Sequence, residues 1–310
     1  IKPKLGFSLI LIIFYFYIVF VMKFIKIFLT SLCLIIASSA YADVADKLSK
    51  SISQMIPGEG VTELEIGLSD ADDNDPTINL LILRNLNKTD DSNLFTQFSL
   101  QTQDVGQNDL RYIGNLGLGY RFLNDDKTLM LGGNIFYDRD FDHDHERGSI
   151  GLEARGGNLE INANFYEDIS LQQVANNRKE QVLGGYDLNI SSQIPFMPWA
   201  RFNYTSYEWD KDIASTNTKG TKYSSEMNIT SSLVFDIEYD ESGNTGGEDV
   251  TSAKLMFVYP PRENKSSLTD GFIAQQAFVN ENVSSKLMDK VKRNNKIVIE
   301  TQGAVVITKK

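Results

Sequence analysis

Between residues 60 and 260 the chain alternates apolar and polar side chains again and again, and a period of two predicts β-strands rather than helices. The longest run sets Leu110, Tyr112, Gly114, Leu116, Leu118, Tyr120 and Phe122 on one face, with Arg111, Asn115 and Arg121 on the other. A second sets Leu159, Ile161, Ala163 and Phe165 against Glu160, Asn162, Asn164 and Tyr166. Leu233, Phe235, Ile237 and Tyr239 oppose Asp236, Glu238 and Asp240, and Ala253, Leu255, Phe257 and Tyr259 oppose Lys254. The pattern predicts about twelve strands, near residues 62–69, 77–85, 93–102, 110–122, 128–138, 147–156, 158–167, 182–194, 199–209, 220–230, 232–240 and 250–259.

Alternation fits a soluble sandwich, with its apolar face inward, and equally a membrane barrel, with lipid outside and a wet lumen. Three further features favour the barrel. The runs last about 9–11 residues, the length a tilted strand needs to cross hydrocarbon, whereas soluble strands average about 5–6. Aromatic pairs gather towards strand ends, as in interfacial girdles: Tyr120 and Phe122, Phe136 and Tyr137, Tyr207 and Trp209, Phe257 and Tyr259. Connections also alternate in length. Residues 70–76, 103–109, 139–146, 168–181, 210–219 and 241–249 are long and polar, while Gly156-Gly157 and Ser231 mark the tightest turns between them. Long external loops and short periplasmic turns are the asymmetry of an outer-membrane barrel. The predicted fold is therefore all-β, a transmembrane antiparallel barrel over residues 61–260.

The flanks complete the division of the chain. Residues 5–38 are nearly all apolar. From Met22 the order is a short basic start with Lys23 and Lys26, an apolar run from Ile27 to Ile36, and Ala40-Tyr41-Ala42 before Asp43. That order predicts a secretory signal cleaved after Ala42, with residues 1–21 lying upstream of the true start. Residues 43–60 form a periplasmic segment with a small amphipathic stretch at Val44, Leu48, Ile52 and Met55. Residues 261–310 come after the barrel. Pro260 and Pro261 end the last strand, because neither donates to a ladder. Thr269 or Asp270 is positioned to cap a helix running to about Val291, and its sparse apolar positions beside Asn280, Asn282, Ser284 and Ser285 suit a polar lumen. A plain surface helix is the alternative. The stretches 297–301 and 304–308 flank Gln302-Gly303 as a short hairpin.

Charge and cysteine usage narrow the function. The chain carries −11, and losing Lys2, Lys4, Lys23 and Lys26 with the front segment takes it to −15. Such a surface repels phosphate backbones and excludes nucleic acid as a partner. The single cysteine, Cys33, lies in the front segment, so the mature chain has no disulfide framework and no thiolate chemistry.

The middle of the chain resembles the inverse autotransporter β-domain of intimin and invasin. The resemblance is carried by Asn93-Leu94-Phe95-Thr96-Gln97, by Asn115-Leu116-Gly117-Leu118-Gly119-Tyr120-Arg121, and most strongly by the run from Met130 to Phe141. The run from His145 to Glu153, Gly185-Tyr186-Asp187 and Ile194-Pro195 continue it. The segment from Lys292 to Glu300 is similar to that family's linker after the barrel. The resemblance implies a twelve-stranded barrel whose linker threads the pore as a helix and carries an adhesive passenger to the cell surface. The passenger itself is missing from this sequence, so the expectation is an outer-membrane translocator or anchor of that type, with adhesion left as a possibility. Outer-membrane lipids and the barrel-assembly machinery are its expected partners. The alternative is a porin-like channel with an open lumen lined by Glu160, Lys222, Glu226 and Glu238.

Candidate chemistry concentrates in the loop from Asp138 to Glu146. Asp140, Asp142, His143 and His145 are weak metal candidates, offering hard oxygens and imidazoles but no ligand-spacing motif. A solvated loop is the expected reading, with no metal and no cofactor. Asp138 and Arg147 are placed to pair across adjacent strands. An outer-membrane lipid hydrolase needs a nucleophile bonded to a histidine that a third group orients, and no G-x-S-x-G or comparable signal is found. The expectation is therefore not an enzyme.

Overall fold

The computed structural model of the chain describes residues 39–301 apart from 71–75, 106–108, 176–177, 213, 246 and 263, and then residues 304–306. A helix α1 (Ser39–Met55) comes first, followed by β1 (Gly60–Ser69), β2 (Thr77–Lys88), β3 (Ser92–Asp104), β4 (Leu110–Leu123), β5 (Leu129–Asp140), β6 (Glu146–Gly156) and β7 (Leu159–Asp168). A small hairpin, β8 (Gln173–Ala175) and β9 (Arg178–Val182), precedes β10 (Gly185–Ile194), β11 (Met197–Trp209), β12 (Thr218–Asn228), β13 (Leu233–Ser242) and β14 (Val250–Tyr259). The chain continues to β15 (Ile299–Thr301) and β16 (Ala304–Val306).

All twelve predicted strands form, and they close into one antiparallel barrel in which each pairs with its sequence neighbour and β1 pairs with β14. Closure gives the strands' backbone groups partners without leaving an edge, the condition for crossing lipid with strands. Side-chain faces obey the predicted alternation. Leu116, Ile135, Ile150, Leu152 and Phe165 point outward with 57–60% of their surface exposed, whereas Arg111, Arg121, Arg147 and Asp138 are fully buried inside. Apolar outside and charged inside is the inverse of a soluble fold. No helix among the described residues is long and apolar enough to cross a membrane.

Three expectations need correction or restriction. No helix forms over 269–291. That stretch is irregular apart from two 3₁₀ turns, Leu268–Asp270 and Val283–Met288. An α-helix satisfies its amides internally; here polar side chains from the barrel wall do so instead, and an extended chain exposes those amides. Second, the predicted loop 168–181 contains β8 and β9. Together with β15 and β16 they build a separate sheet in the order β16-β15-β9-β8, with Ile299 opposite Val182 and Thr301 opposite Glu180. The C-terminal hairpin is thus an addition to a barrel loop. Third, α1 runs across the position of the expected cleavage, and most of the signal segment, residues 1–38, lies outside the described residues. Arg84 of β2 ties the end of α1 down, donating from Nη2 to Ser53 Oγ at 3.1 Å.

Candidate functional site

The segment after β14 decides what the lumen can do. It first skirts the end of the barrel that carries the short turns. Arg262 N–H donates to Ser231 O in the β12–β13 turn at 2.7 Å. Phe196, in the β10–β11 turn, exchanges backbone bonds with Ala274 and Ala277 at 2.8 and 2.7 Å. Asn158 of the β6–β7 turn meets Asn280 at 3.3 Å. The segment then enters the lumen and climbs it. Val283 and Leu287 pack on Leu123 and Met130 near the short turns. Val291 packs on Leu83, Phe95 and Phe136 at mid-height. Ile297 and Ile299 meet Ile113 and Val182 at the end with the long loops, where Val298 lies among Tyr166, Leu183, Tyr207 and Trp209. One polypeptide therefore passes through the barrel from end to end.

Between these apolar layers the wall bonds to the segment's backbone. Asn93 Nδ2 donates to Leu287 O at 2.9 Å, and Gln97 Oε1 accepts Val291 N–H at 2.9 Å. Gln103 accepts Ile297 N–H at 2.9 Å and donates back to Ile297 O at 2.7 Å. Arg121 donates to the carbonyls of Leu287 and Asp289, Arg155 to that of Lys290, and Arg147 to that of Asn294. Asn115 and Asn164 reach Asn295 O and Lys292 O, both at 3.0 Å.

Ion pairs fix the side chains. Asp138 is the centre: its two oxygens accept Arg293 at 2.9 and 2.7 Å, Arg147 at 2.9 Å and Asn115 at 2.7 Å. The expected Asp138–Arg147 pair is present, with a third partner supplied by the segment. Lys286 meets Glu160 at 2.7 Å and Lys290 meets Glu63 at 2.8 Å. Guanidinium groups stand over aromatic rings, Arg121 over Phe95 at 4.4 Å and Arg293 over Phe136 at 4.3 Å from the ring centre. Those rings need glycine on β4. A Cβ at Gly119 would stand 2.3 Å from the Phe95 ring, and one at Gly117 would stand 2.3 Å from Phe136.

At the long-loop end the candidate metal residues serve the loops. Asp140 accepts Arg111 at 3.2 Å and the backbone N–H of Asp142 at 2.9 Å. Asp142 accepts Tyr112 N–H at 2.7 Å, and His143 lies 3.6 Å from Asp109. His145 is buried with Nε2 2.9 Å from Glu180, which Arg111 also holds at 2.8 Å. Burial pushes the Glu180 carboxyl up, but hydrogen bonds from His145 and Arg111 outweigh it and hold the group at about 2. Among the described residues no group of three or more His, Cys, Asp or Glu is arranged to hold a metal. Neither histidine is bonded to a serine hydroxyl among the described contacts. Of the expected lumen residues, Glu160 is engaged by Lys286 and Arg201, while Lys222, Glu226 and Glu238 line a remaining cavity of about 300 Å³. Sequence reading did not single out Gln103 or Arg155, and it named Asn93, Gln97 and the stretch holding Arg293 only as carriers of the family resemblance, without a role. Its available signal was amide and guanidinium groups recurring at alternate positions on the faces turned from lipid.

Comparison with known families decides the assignment: the model of the inverse autotransporter β-domain matches residues 34–295. The chain belongs to that family. It is similar to the inverse autotransporter adhesin YeeJ of Escherichia coli strain K12, 25% identical over 225 residues. It is also similar to the uncharacterized protein YchO of the same strain, 27% identical over 140 residues. These matches span 69% and 45% of this chain but only 9% of YeeJ and 29% of YchO. A structure solved in work on in-meso crystallization of membrane proteins shares the fold, with a TM-score of 0.62 and 22% identity. The overlap covers 78% of this chain and all of that one. The inverse autotransporter β-domain described here is thus a barrel of the outer membrane, as the sequence predicts.

Proposed function

We propose that the barrel is a translocator and anchor: it sits in outer-membrane lipid, placed there by the barrel-assembly machinery, and holds its own C-terminal segment through the lumen, so that polypeptide attached beyond the segment stands at the cell surface. The observation that carries this reading is the path of residues 283–299, from Leu123 and Met130 at the short turns to Ile113 and Val182 at the long loops. Long loops face outward in outer-membrane barrels, so the segment leaves on the external side. A contribution to adhesion rests on the likeness to YeeJ and attaches to polypeptide beyond the barrel. The porin-like alternative is disfavoured by the lumen's occupancy along its length.

An epitope placed after Lys310 tests the reading. Whole cells bearing inserted barrel are expected to bind antibody and to lose the epitope to added protease. An epitope reached only after the outer membrane is broken leaves the segment in the periplasm and refutes translocation.

A further inference from the structure

The backbone contacts of the lumen segment share a regularity. Asn93 meets Leu287, Gln97 meets Val291 and Gln103 meets Ile297, and in every case the partners are 194 residues apart. A constant offset over ten residues means that the segment rises at the same rate as β3 and parallel to it, extended once it leaves the 3₁₀ turn at Met288. Asn93, Gln97 and Gln103 all lie on the lumen face of β3. Their side-chain amides do what the backbone of a neighbouring strand does in a sheet. Arg121, Arg147, Arg155, Asn115 and Asn164, on β4, β6 and β7, each place at least one donor on a main-chain carbonyl of the segment. Main-chain N–H and C=O groups are common to all residues, proline alone lacking the N–H.

We propose that the β3–β7 face of the lumen is a binding site for extended polypeptide as such, read through its backbone and indifferent to its sequence. The ion pairs Lys286–Glu160, Lys290–Glu63 and Arg293–Asp138, with the apolar seats of Leu287, Val291 and Ile297, are the sequence-specific part, and they set the register in which this chain comes to rest. A chain slid by two residues keeps the same face toward β3 and remakes the amide contacts, but it loses those pairs. The ligand class is an unfolded stretch of this chain or of polypeptide fused to it. This inference rests on the translocator reading and adds how the wall tolerates a moving chain of changing sequence.

The test compares proline with alanine at one position, using the epitope after Lys310 and normalising to heat-resistant, inserted barrel. Val291→Ala and Val291→Pro both remove the packing side chain, and only proline removes the N–H that Gln97 accepts. Surface exposure of the epitope is expected to fall at least fivefold further for proline. Gln97→Leu should lower exposure on its own and add no further loss to Val291→Pro, since both delete one bond. Ile297→Pro against Ile297→Ala, with Gln103→Leu, repeats the comparison at the other end should the first proline variant fail to insert. Equal losses for alanine and proline, or additive losses in the double variant, overturn the backbone reading while leaving translocation intact. An epitope never exposed in the unaltered chain overturns both.

Discussion

Along β3 to β7 the lumen wall touches the enclosed segment throughout, through amides, guanidinium groups and the Asp138 centre, whereas along β11 to β14 and β1 a cavity of about 300 Å³ flanks the segment and long side chains make the contacts, such as Lys290 to Glu63 and Lys292 to Asn203. Glu65, Glu226, Asp236, Glu238, Lys222 and Lys254 line that cavity. On the tight side each charge was taken from water and must be compensated by close geometry, so removing one partner strands the others. On the loose side Lys222 and Glu238, 3.3 Å apart, keep 29 and 22% of their side-chain surface exposed, and pairs of that kind contribute less. The same ring of strands therefore holds a grip on one side and keeps free volume on the other. A conduit needs both, since a chain gripped all round cannot slide.

The largest effect is expected at the centre of the grip. Asp138→Leu leaves the buried Arg147 and Arg293 without their carboxylate and should destabilise the folded protein by about 3–5 kcal/mol, read as a lower midpoint in a heat-modifiability series. Next comes the far side of the same wall, where Leu116 faces lipid. Leu116→Arg should cost about 2–4 kcal/mol at the bilayer midplane, and normal amounts of inserted barrel would contradict the face assigned to it. Gly119→Val drives a side chain into the Phe95 ring beneath Arg121; overpacking of this kind costs about 1–3 kcal/mol, and gel mobility of folded barrel across temperature measures it. The smallest change belongs to the loose wall. Glu226→Gln, beside the cavity, should shift stability by less than about 1 kcal/mol. A loss as large as that of Asp138→Leu would erase the distinction between the two sides.

Acid probes the exit. Glu180 is held at about 2 against an ordinary glutamate value of 4.5, so its contribution is full above 4.5 and fades as pH falls towards 2. The β8–β9 hairpin and the β15 strand paired with it should resist proteolysis equally from pH 5 to 8, and open only in stronger acid. Glu180→Gln removes this acid step. An opening already present at pH 6 would assign the hold to another group.

The same two-sidedness governs how much of the molecule is legible in its sequence. Strands β1 to β7 and β10 to β14 were readable because lipid on one face and polar lumen on the other impose a period of two, as Leu116 and Asn115 do on β4. The lumen segment up to Val291 reads as a helix in the sequence because its partners are remote. Nothing local to Leu287, Val291 or Ile297 shows that Asn93, Gln97 and Gln103 stand ready for their amides. The β8–β9 hairpin was hidden for the same reason, since its mate β15 lies more than a hundred residues further on. The loop carrying Asp140, Asp142, His143 and His145 was visible as a charged cluster. Its use, fastening loops through Arg111 and Glu180, depends on residues distant in the chain.

The central claim is that one segment runs through the lumen in fixed register along β3. Paired cysteines test it most directly, introduced after Cys33 is replaced by serine so that no native thiol competes. A short bismaleimide should join the matched pairs 97/291 and 103/297 in membrane-inserted protein, and the mismatched pairs 97/297 and 103/291 far less. Equal reaction of matched and mismatched pairs, or none in any of them, would contradict the account.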